Sequence, residues 1–235
     1  MTKFIALISG KGGTGKTTTA LNLAQALLKL NIKTLILDAN FATPNLALHL
    51  GLTSPVATLN DFLRKKKPLQ ETIHLHYSGL SFLPASLSYQ DFKKTPPNKI
   101  SEIFEHLEGF AEIVLVDCPA GLGYDLVQIL KNTDEAIIVT NPHLSSLIDS
   151  LKAIELAQEN NNALPGFVLN MTHKGKNELR PQQIEETLNL PLIANIPYDK
   201  KIKKALYKQA PSLYLYPRAK SSKQYLKLAQ HLINL

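Results

Sequence analysis

The sequence of 235 residues contains one cysteine, Cys118, which excludes an internal disulfide framework and indicates a reducing compartment. No apolar run approaches the roughly 20 residues that a membrane-spanning helix needs. A strand-like apolar run begins at residue 4, which leaves no room for a signal peptide. From these absences we expect a cytoplasmic protein.

Zinc-type ligand spacing is also missing. His74 and His76 would share one face of an extended segment, but no third or fourth ligand lies at a suitable spacing. The sequence has no internal repeat, and its apolar content of 44% is ordinary for a globular protein. Because this length suffices for one α/β domain with a full core, we predict a single domain over residues 1–235.

Acidic residues are outnumbered, and the net charge is +7 with an isoelectric point near 9.3. Basic residues cluster at 64–67, 93–94, 200–204 and 220–227. Such a surface attracts nucleic acid or anionic lipid. Lysines that only keep loops and helix faces in contact with water would give the same number of basic residues. No aromatic platform interleaves these clusters in the sequence, so the pattern does not predict a site that reads bases.

The most informative segment is residues 10–17, which read Gly-Lys-Gly-Gly-Thr-Gly-Lys-Thr and satisfy the phosphate-binding pattern G-x-x-x-x-G-K-[ST]. An apolar run at 4–8 precedes it and a helical pattern at 20–28 follows it. Strand, glycine loop and helix together are the context that this motif requires. A glycine turn with a chance lysine is the alternative, and the coincidence of four glycines with Lys-Thr disfavours it.

Glycine amides can wrap closely around an anion because no Cβ intervenes, and the following helix adds the positive end of its dipole. Lys16 would bring a positive charge to the β- and γ-phosphates, and the Thr17 hydroxyl would ligate Mg²⁺. ATP and Mg²⁺ are therefore the predicted cofactors. The predicted nucleotide-binding residues of the loop are Gly12, Gly13, Thr14, Gly15, Lys16, Thr17 and Thr18.

Strand and helix patterns alternate along the chain. The predicted strands cover residues 3–9, 33–37, 80–84, 111–117, 134–140, 164–169 and 191–196. The predicted helices cover residues 16–30, 98–109, 123–131, 143–160, 181–188, 199–209 and 220–234, with short helices near 44–49 and 58–64. This order predicts an α/β, doubly wound, mainly parallel sheet with helices on both faces, and a ligand at the carboxyl ends of its strands.

Two aspartates end apolar strands at that same edge of the sheet. Asp38 follows Leu35-Ile36-Leu37, and Asp117 follows residues 113–116. Carboxylates at these positions can hold Mg²⁺, directly or through water, or they can cap the helix that follows. Together with Thr17, they are the predicted metal ligands.

Residues 11–17 resemble the K-G-G-x-G-K-T loop of the deviant Walker A ATPases of the MinD/ParA group, and the resemblance extends over about residues 3–232. Residues 117–122 and 140–142 are most similar to archaeal MinD-like members. The resemblance implies a P-loop NTPase fold of the SIMIBI type and a homodimer that forms on ATP binding. In that dimer Lys11 would reach the partner's nucleotide, as an arginine finger does in trans, unless it is simply a solvated loop lysine.

The resemblance also implies roles for single residues. Asp117 would be the Walker B aspartate, and the N–H of Gly121 would meet the γ-phosphate as part of switch II. Asn170 would hydrogen-bond the adenine edge, and Pro197 would line its other side. Related iron–sulfur carrier ATPases use paired cysteines, so we expect no iron–sulfur cluster in a chain with one cysteine.

The chain departs from the family pattern at Asn40, where the family has the aspartate thought to position the attacking water. An amide oxygen can still accept a hydrogen bond, but it cannot take the proton. Phosphoryl transfer passes through a loose transition state, in which positioning matters more than basicity. We therefore expect slow hydrolysis, with Lys11, Lys16 and Asn40 as the catalytic residues.

The leading hypothesis is an ATPase that switches by dimerising and positions or assembles a partner, under the control of an unknown activating or cargo protein. The alternative is an ATP-locked, nearly non-hydrolysing binding module that docks a protein or nonspecific DNA. A metabolic kinase is disfavoured because Lys11 has no purpose in a monomeric kinase. At the C-terminus, Tyr225, Leu228, Leu232 and Leu235 lie at helical spacing, and we expect them to pack on the core instead of attaching the protein stably to a membrane.

Overall fold

The computed structural model describes residues 1–173, 175 and 177–234. The strands are β1 (Lys3–Ile8), β2 (Thr34–Asp38), β3 (His74–Leu75), β4 (Ser81–Leu83), β5 (Ile113–Asp117), β6 (Glu135–Thr140), β7 (Phe167–Thr172) and β8 (Leu192–Pro197). The helices are α1 (Lys16–Lys29), α2 (Leu46–His49), α3 (Leu59–Leu63), α4 (Leu69–Thr72), α5 (Tyr89–Lys94), α6 (Ser101–Leu107), α7 (Tyr124–Leu130), α8 (Leu144–Glu159), α9 (Pro181–Leu188), α10 (Lys200–Tyr207), α11 (Ser212–Leu215) and α12 (Lys220–Ile233).

The strands form one sheet in the order β3-β4-β2-β5-β1-β6-β7-β8. The neighbours from β4 to β8 pair in parallel, and β3 pairs antiparallel with β4 at one edge. The central strands are apolar over most of their length because helices cover both faces of the sheet. Helices α1, α11 and α12 pack on one face, and α6 to α9 pack on the other. This is the predicted doubly wound α/β fold.

The C-terminal helix α12 packs on the core, as predicted. Tyr225, Leu228 and Leu232 are buried on the side that meets α1 and β8. Leu235, the last member of the predicted apolar series, lies outside the described residues. In the described part of the chain, no helix is both long enough and apolar enough to span a bilayer.

Several predicted boundaries differ from the observed ones, and glycine or proline explains two of them. Strand β7 starts at Phe167, not at residue 164, because Pro165 lacks a ladder N–H and Gly166 adopts φ +148°. The predicted helix over 98–109 opens as a 3-10 turn, Pro97–Ile100, before α6 begins. Consecutive prolines at 96–97 favour a helix start with an irregular first turn.

Four short elements have no counterpart among the predictions. Helices α4 and α11 have four residues each, α5 has six, and β3 has two. Segments this short contain about one or two helical turns or one pair of strand residues, so the periodic pattern of apolar residues that they give is weak. Their positions are set by tertiary contacts, as for β3, which pairs with β4 through His74↔Phe82.

Candidate nucleotide-binding site

The sheet brings three predicted motifs together at the carboxyl ends of its central strands. β1 leads directly into the glycine loop of residues 9–15, and its Leu7 lies opposite Asp117 of β5. Asp38 is the register partner of Asp117 on the other side of β5. The loop and both carboxylates therefore share one edge, where doubly wound sheets bind their ligands.

The loop holds a shape that only glycine adopts easily. Gly13 and Gly15 have φ of +80° and +93°, in the left-handed region. A Cβ on Gly15 would lie 2.2 Å from Nδ2 of Asn170, so this position has no room for a side chain. The carbonyl of Gly15 accepts the N–H of Thr19 at 2.8 Å, which closes the first turn of α1. The N–H groups before that turn are the ones a phosphate would meet.

Lys16 is almost fully buried within this loop, with 8% of its surface exposed. Its Nζ donates to Oγ of Ser9 at 2.8 Å, and that hydroxyl donates to the carbonyl of Lys11 at 2.7 Å. Burial lowers the pKa of Lys16, while the charge of Asp117 acts to raise it. The ammonium is thus drawn back onto the loop, beside the place where the predicted phosphates would sit.

Asp38 and Asp117 are both buried. Asp38 accepts the backbone N–H groups of Asn40 at 3.1 Å and Leu46 at 3.3 Å. Burial, followed by the charge of Asp117, raises the pKa of Asp38 well above its usual range. Burial raises the pKa of Asp117 to about 6, against the opposing effects of the Thr17 hydroxyl and Lys16. Two neighbouring carboxylates that are both buried are unfavourable when both are ionised, because they repel each other and lack contact with water.

This pair fits a divalent cation. Oδ1 of Asp117 is buried and has no hydrogen-bond partner among the described residues. Carboxylate and hydroxyl oxygens are the ligands that Mg²⁺ prefers, and Thr17 supplies a hydroxyl next to Asp117. The chemistry of these donors suits Mg²⁺, and Thr17, Asp38 and Asp117 stay its predicted ligands.

Lys11 and Gly121 contact their own chain in this structure. Nζ of Lys11 donates to Oγ of Ser145, at the start of α8, at 2.8 Å. Gly121 has φ +87°, and its N–H donates to the carbonyl of Ser9 at 3.3 Å. The single N–H of Gly121 would have to leave Ser9 to bind a phosphate, whereas the Lys11 ammonium has three N–H donors and would need only to turn away from Ser145.

Asn170 makes contacts that the sequence did not predict. Its Nδ2 donates to the loop carbonyl of Thr14 at 2.8 Å, and its Oδ1 accepts the N–H of Met171 at 2.9 Å. Asn141 donates to the carbonyl of Asn170 at 3.0 Å from the end of β6. Asn170 is therefore buried and ties β7 to the phosphate loop. It also lines the smaller of two adjoining cavities at this edge, so its contact with adenine stays a prediction.

Two adjoining cavities open along this edge. The larger, about 380 Å³, is lined by Gly12, Gly13, Gly15, Lys16, Thr17, Thr18, Asn40, Thr43, Asn45, His49, Ala120 and Met171. The smaller, about 180 Å³, is lined by Thr18, Asn170, Met171, Pro197, Tyr198, Asp199, Ile202, Lys203 and Leu206. Thr18 and Met171 line both, so a phosphate chain in the first cavity would place its base in the second, beside Pro197.

Size alone does not identify the site. A cavity of about 630 Å³ lies between α9, β8 and α12, away from the glycine loop. Sequence reasoning also assigned no role to four residues near this site. Ser9 contacts Lys16, Asn141 lies near the carbonyl of Thr14, and Met171 and Ile202 line the two cavities. Ser9 could have been found from its place directly before the motif. Asn141 could have been found from residues 140–142, which carry part of the family resemblance, whereas Met171 and Ile202 are distant in sequence and gave no local signal.

Comparisons with known proteins agree with this geometry. A ParA family, described as NUBPL iron-transfer P-loop NTPase, matches residues 1–233. An uncharacterised ATP-binding protein of Methanocaldococcus jannaschii is 35% identical over 229 residues, covering 97% of this chain and 87% of that protein. The chain belongs to the ParA/MinD family of P-loop ATPases.

Solved structures similar to this ParA/MinD-family ATPase include two from Pyrococcus species. The cell division ATPase MinD of Pyrococcus furiosus is 33% identical with a TM-score of 0.95, covering 100% of this chain and 99% of that one. The septum site-determining protein MinD of Pyrococcus horikoshii, complexed with Mg-ADP, is also 33% identical, with a TM-score of 0.94 and coverage of 99% and 96%. The family description mentions iron transfer, whereas this chain has only Cys118, which is buried.

Proposed function

We propose that this chain is a single-domain ATPase that binds ATP with Mg²⁺ at the glycine loop, hydrolyses it slowly to ADP and phosphate, and dimerises in the ATP state. By analogy with the cell division proteins that it resembles, its output is the positioning or assembly of a partner. The observation that carries the proposal is the loop itself, with left-handed glycines at 13 and 15 and a buried lysine at 16.

The nucleotide would lie along the two adjoining cavities. The loop amides of residues 12–17 would hold the β- and γ-phosphates, with the Lys16 ammonium moving from Ser9 onto them. Thr17, Asp38 and Asp117 would hold Mg²⁺, which would neutralise charge on the phosphates. The base would occupy the smaller cavity, which Met171, Pro197 and Asn170 line, and Asn170 would also hold the loop in shape through Thr14.

Dimerisation would use the donors that now contact their own chain. Lys11 would leave Ser145 and reach the nucleotide of the partner subunit, and the Gly121 N–H would leave Ser9 for the γ-phosphate. Both contacts are single hydrogen bonds on accessible segments, and such bonds contribute about 1 kcal/mol each. An ATP-dependent rearrangement of this size is therefore energetically modest.

Slow turnover follows from Asn40. Its amide lines the phosphate cavity but is bound to Thr43 through both its oxygen and its nitrogen. This arrangement also favours the second candidate function, an ATP-locked module that barely hydrolyses and docks a partner. The switching ATPase and the ATP-locked module differ in whether a partner stimulates phosphate release.

The test is calorimetric titration of the protein with MgATP and MgADP, compared with Lys16→Met. We expect micromolar or tighter binding of both nucleotides by the wild type and a loss of at least about 100-fold in the variant. Lys29→Met, at the exposed far end of α1, is the matched control and should bind as the wild type does. Wild-type protein that binds neither nucleotide would overturn the proposal.

A further inference from the structure

The net positive charge of this protein comes from its C-terminal part. Residues 200–235 contain nine lysines and arginines and no aspartate or glutamate. Residues 1–199 carry 17 basic and 19 acidic residues, so that part is slightly acidic. An asymmetry of this kind indicates a surface for a polyanion more strongly than a uniform excess of lysine would.

Helix α10 displays much of this charge on one side. Lys200, Lys204, Tyr207 and Lys208 lie at helical spacing and are all exposed. Ile202 and Leu206 lie on the opposite side, where they line the smaller of the two nucleotide cavities. The nearest acidic residue along the chain, Asp199, caps the helix by accepting the N–H of Lys201 and the hydroxyl of Ser221. The exposed side of α10 is therefore purely basic and aromatic.

The fold adds two more aromatic rings next to α10. Tyr77, in the turn between β3 and β4, lies with its ring 5.7 Å from that of Tyr214 on α11, and its hydroxyl donates to the carbonyl of Lys208 at 3.5 Å. The neighbouring His76 contacts the carbonyl of Gln209 at 3.0 Å, which fixes the turn in place. Tyr77 comes from a distant part of the sequence, so the sequence pattern of the basic clusters does not include it.

These rings are exposed to solvent. Tyr207 is 89% exposed, Tyr77 64% and Tyr214 41%. We define the tyrosine–lysine surface as Tyr77, Tyr207, Tyr214, Lys200, Lys204 and Lys208. Exposed rings grouped among unpaired cations are typical of binding sites, because folding alone gains little from leaving them in water.

We propose that the tyrosine–lysine surface binds single-stranded nucleic acid. Lysines neutralise backbone phosphates, and tyrosine rings stack on bases that are not already paired. In a duplex the bases are stacked inside the helix, so these rings would gain little from it. An anionic membrane would instead favour exposed aliphatic side chains, whereas Ile202 and Leu206 are partly buried against the nucleotide cavity and Leu213 is buried.

The test is fluorescence anisotropy with a labelled single-stranded oligo(dT) of 20 nucleotides, and with the matching dT·dA duplex. We expect tighter binding of the single strand, with an affinity that falls as salt rises. Tyr207→Ala and Tyr77→Ala should each weaken binding about fivefold or more, and Tyr77→Phe should retain most of it. Tyr89→Ala removes an exposed ring from α5, away from this surface, and should bind as the wild type does.

Folding of each variant is checked by its thermal melting curve, and Tyr207 is so exposed that its truncation should leave the fold intact. Duplex binding as tight as single-strand binding and indifferent to the tyrosines would overturn the proposal. So would binding only to phosphatidylserine vesicles, or no binding at all. Because these measurements need no nucleotide, their failure would leave the ATPase proposal standing, and the calorimetric titration tests that proposal separately.

Discussion

Asn40 and Thr43 hold each other by hydrogen bonds in both directions. Nδ2 of Asn40 donates to the carbonyl of Thr43 at 2.8 Å, and Oδ1 of Asn40 accepts the N–H of Thr43 at 3.2 Å. Asn40, which we predict to stand where the family has its water-positioning aspartate, is thus a neutral amide whose oxygen and nitrogen both form hydrogen bonds within its own loop. Any contact with an attacking water would have to compete with these bonds.

Replacing Asn40 with aspartate should therefore accelerate hydrolysis. A carboxylate cannot donate to the Thr43 carbonyl, so it would be freer to turn toward the cavity and accept a proton there. We expect Asn40→Asp to raise steady-state phosphate release about tenfold or more, with little change in the KM for ATP. Asn98→Asp, on an exposed turn far from the loop, controls for added charge. A wild type that is already the faster enzyme would contradict the assignment of Asn40.

The close approach of Gly15 to Asn170 predicts a large effect of one methyl group. Gly15→Ala would place a Cβ 2.2 Å from Nδ2 of Asn170 in a residue with φ +93°. Gly109→Ala is the matched control, because Gly109 also has a left-handed φ of +77° but has open space around it. The left-handed conformation alone costs about 1–2 kcal/mol for a residue with a Cβ.

We expect Gly15→Ala to lower the free energy of unfolding by at least about 2 kcal/mol more than Gly109→Ala does, and to abolish MgATP binding. Denaturant unfolding and calorimetry measure the two effects. In a double-mutant cycle, Asn170→Ala should recover part of the stability lost in Gly15→Ala. Equal losses in the two glycine variants would show that the approach of Asn170 is unimportant.

The raised pKa of Asp38 predicts how stability changes with pH in the metal-free protein. The folded state holds this proton more tightly than the unfolded chain does. Its contribution to stability is therefore fully present below about pH 4, the unfolded pKa, and is lost as pH rises through the higher folded value. The Asp38→Asn side chain has no carboxyl proton to release, so the variant does not lose this stability as pH rises.

We therefore expect the melting temperature of Asp38→Asn, relative to the wild type, to increase by several degrees between pH 5 and pH 8 without metal. With MgATP present the order should reverse, because the cation stabilises the paired carboxylates of the wild type and not the variant. Scanning calorimetry at both pH values measures this. A difference that is independent of pH would mean that Asp38 does not hold its proton in the folded state.

The sequence was sufficient to predict the long strands, the long helices and the glycine loop, because each has a complete periodic or spacing signal. Asp38 and Asp117 could be placed at one edge because parallel strands align their carboxyl ends. The contact of Asn170 with Thr14 could not be predicted, since it depends on how β7 curves over the loop at Met171, which has φ +59°. The contact of Tyr77 with Tyr214 could not be predicted for a similar reason, because it depends on where the fold places the turn after the two-residue strand β3.

The central claim, an ATP-dependent switch between monomer and dimer, is tested most directly by light scattering after gel filtration in ADP and in ATP with Mg²⁺. The account predicts a monomer mass near 26 kDa in ADP, twice that mass in ATP, and a monomer in both states for Lys11→Ala. Lys29→Ala should dimerise as the wild type does. A wild-type mass that is the same in both nucleotides, or a Lys11→Ala protein that dimerises normally in ATP, would contradict it.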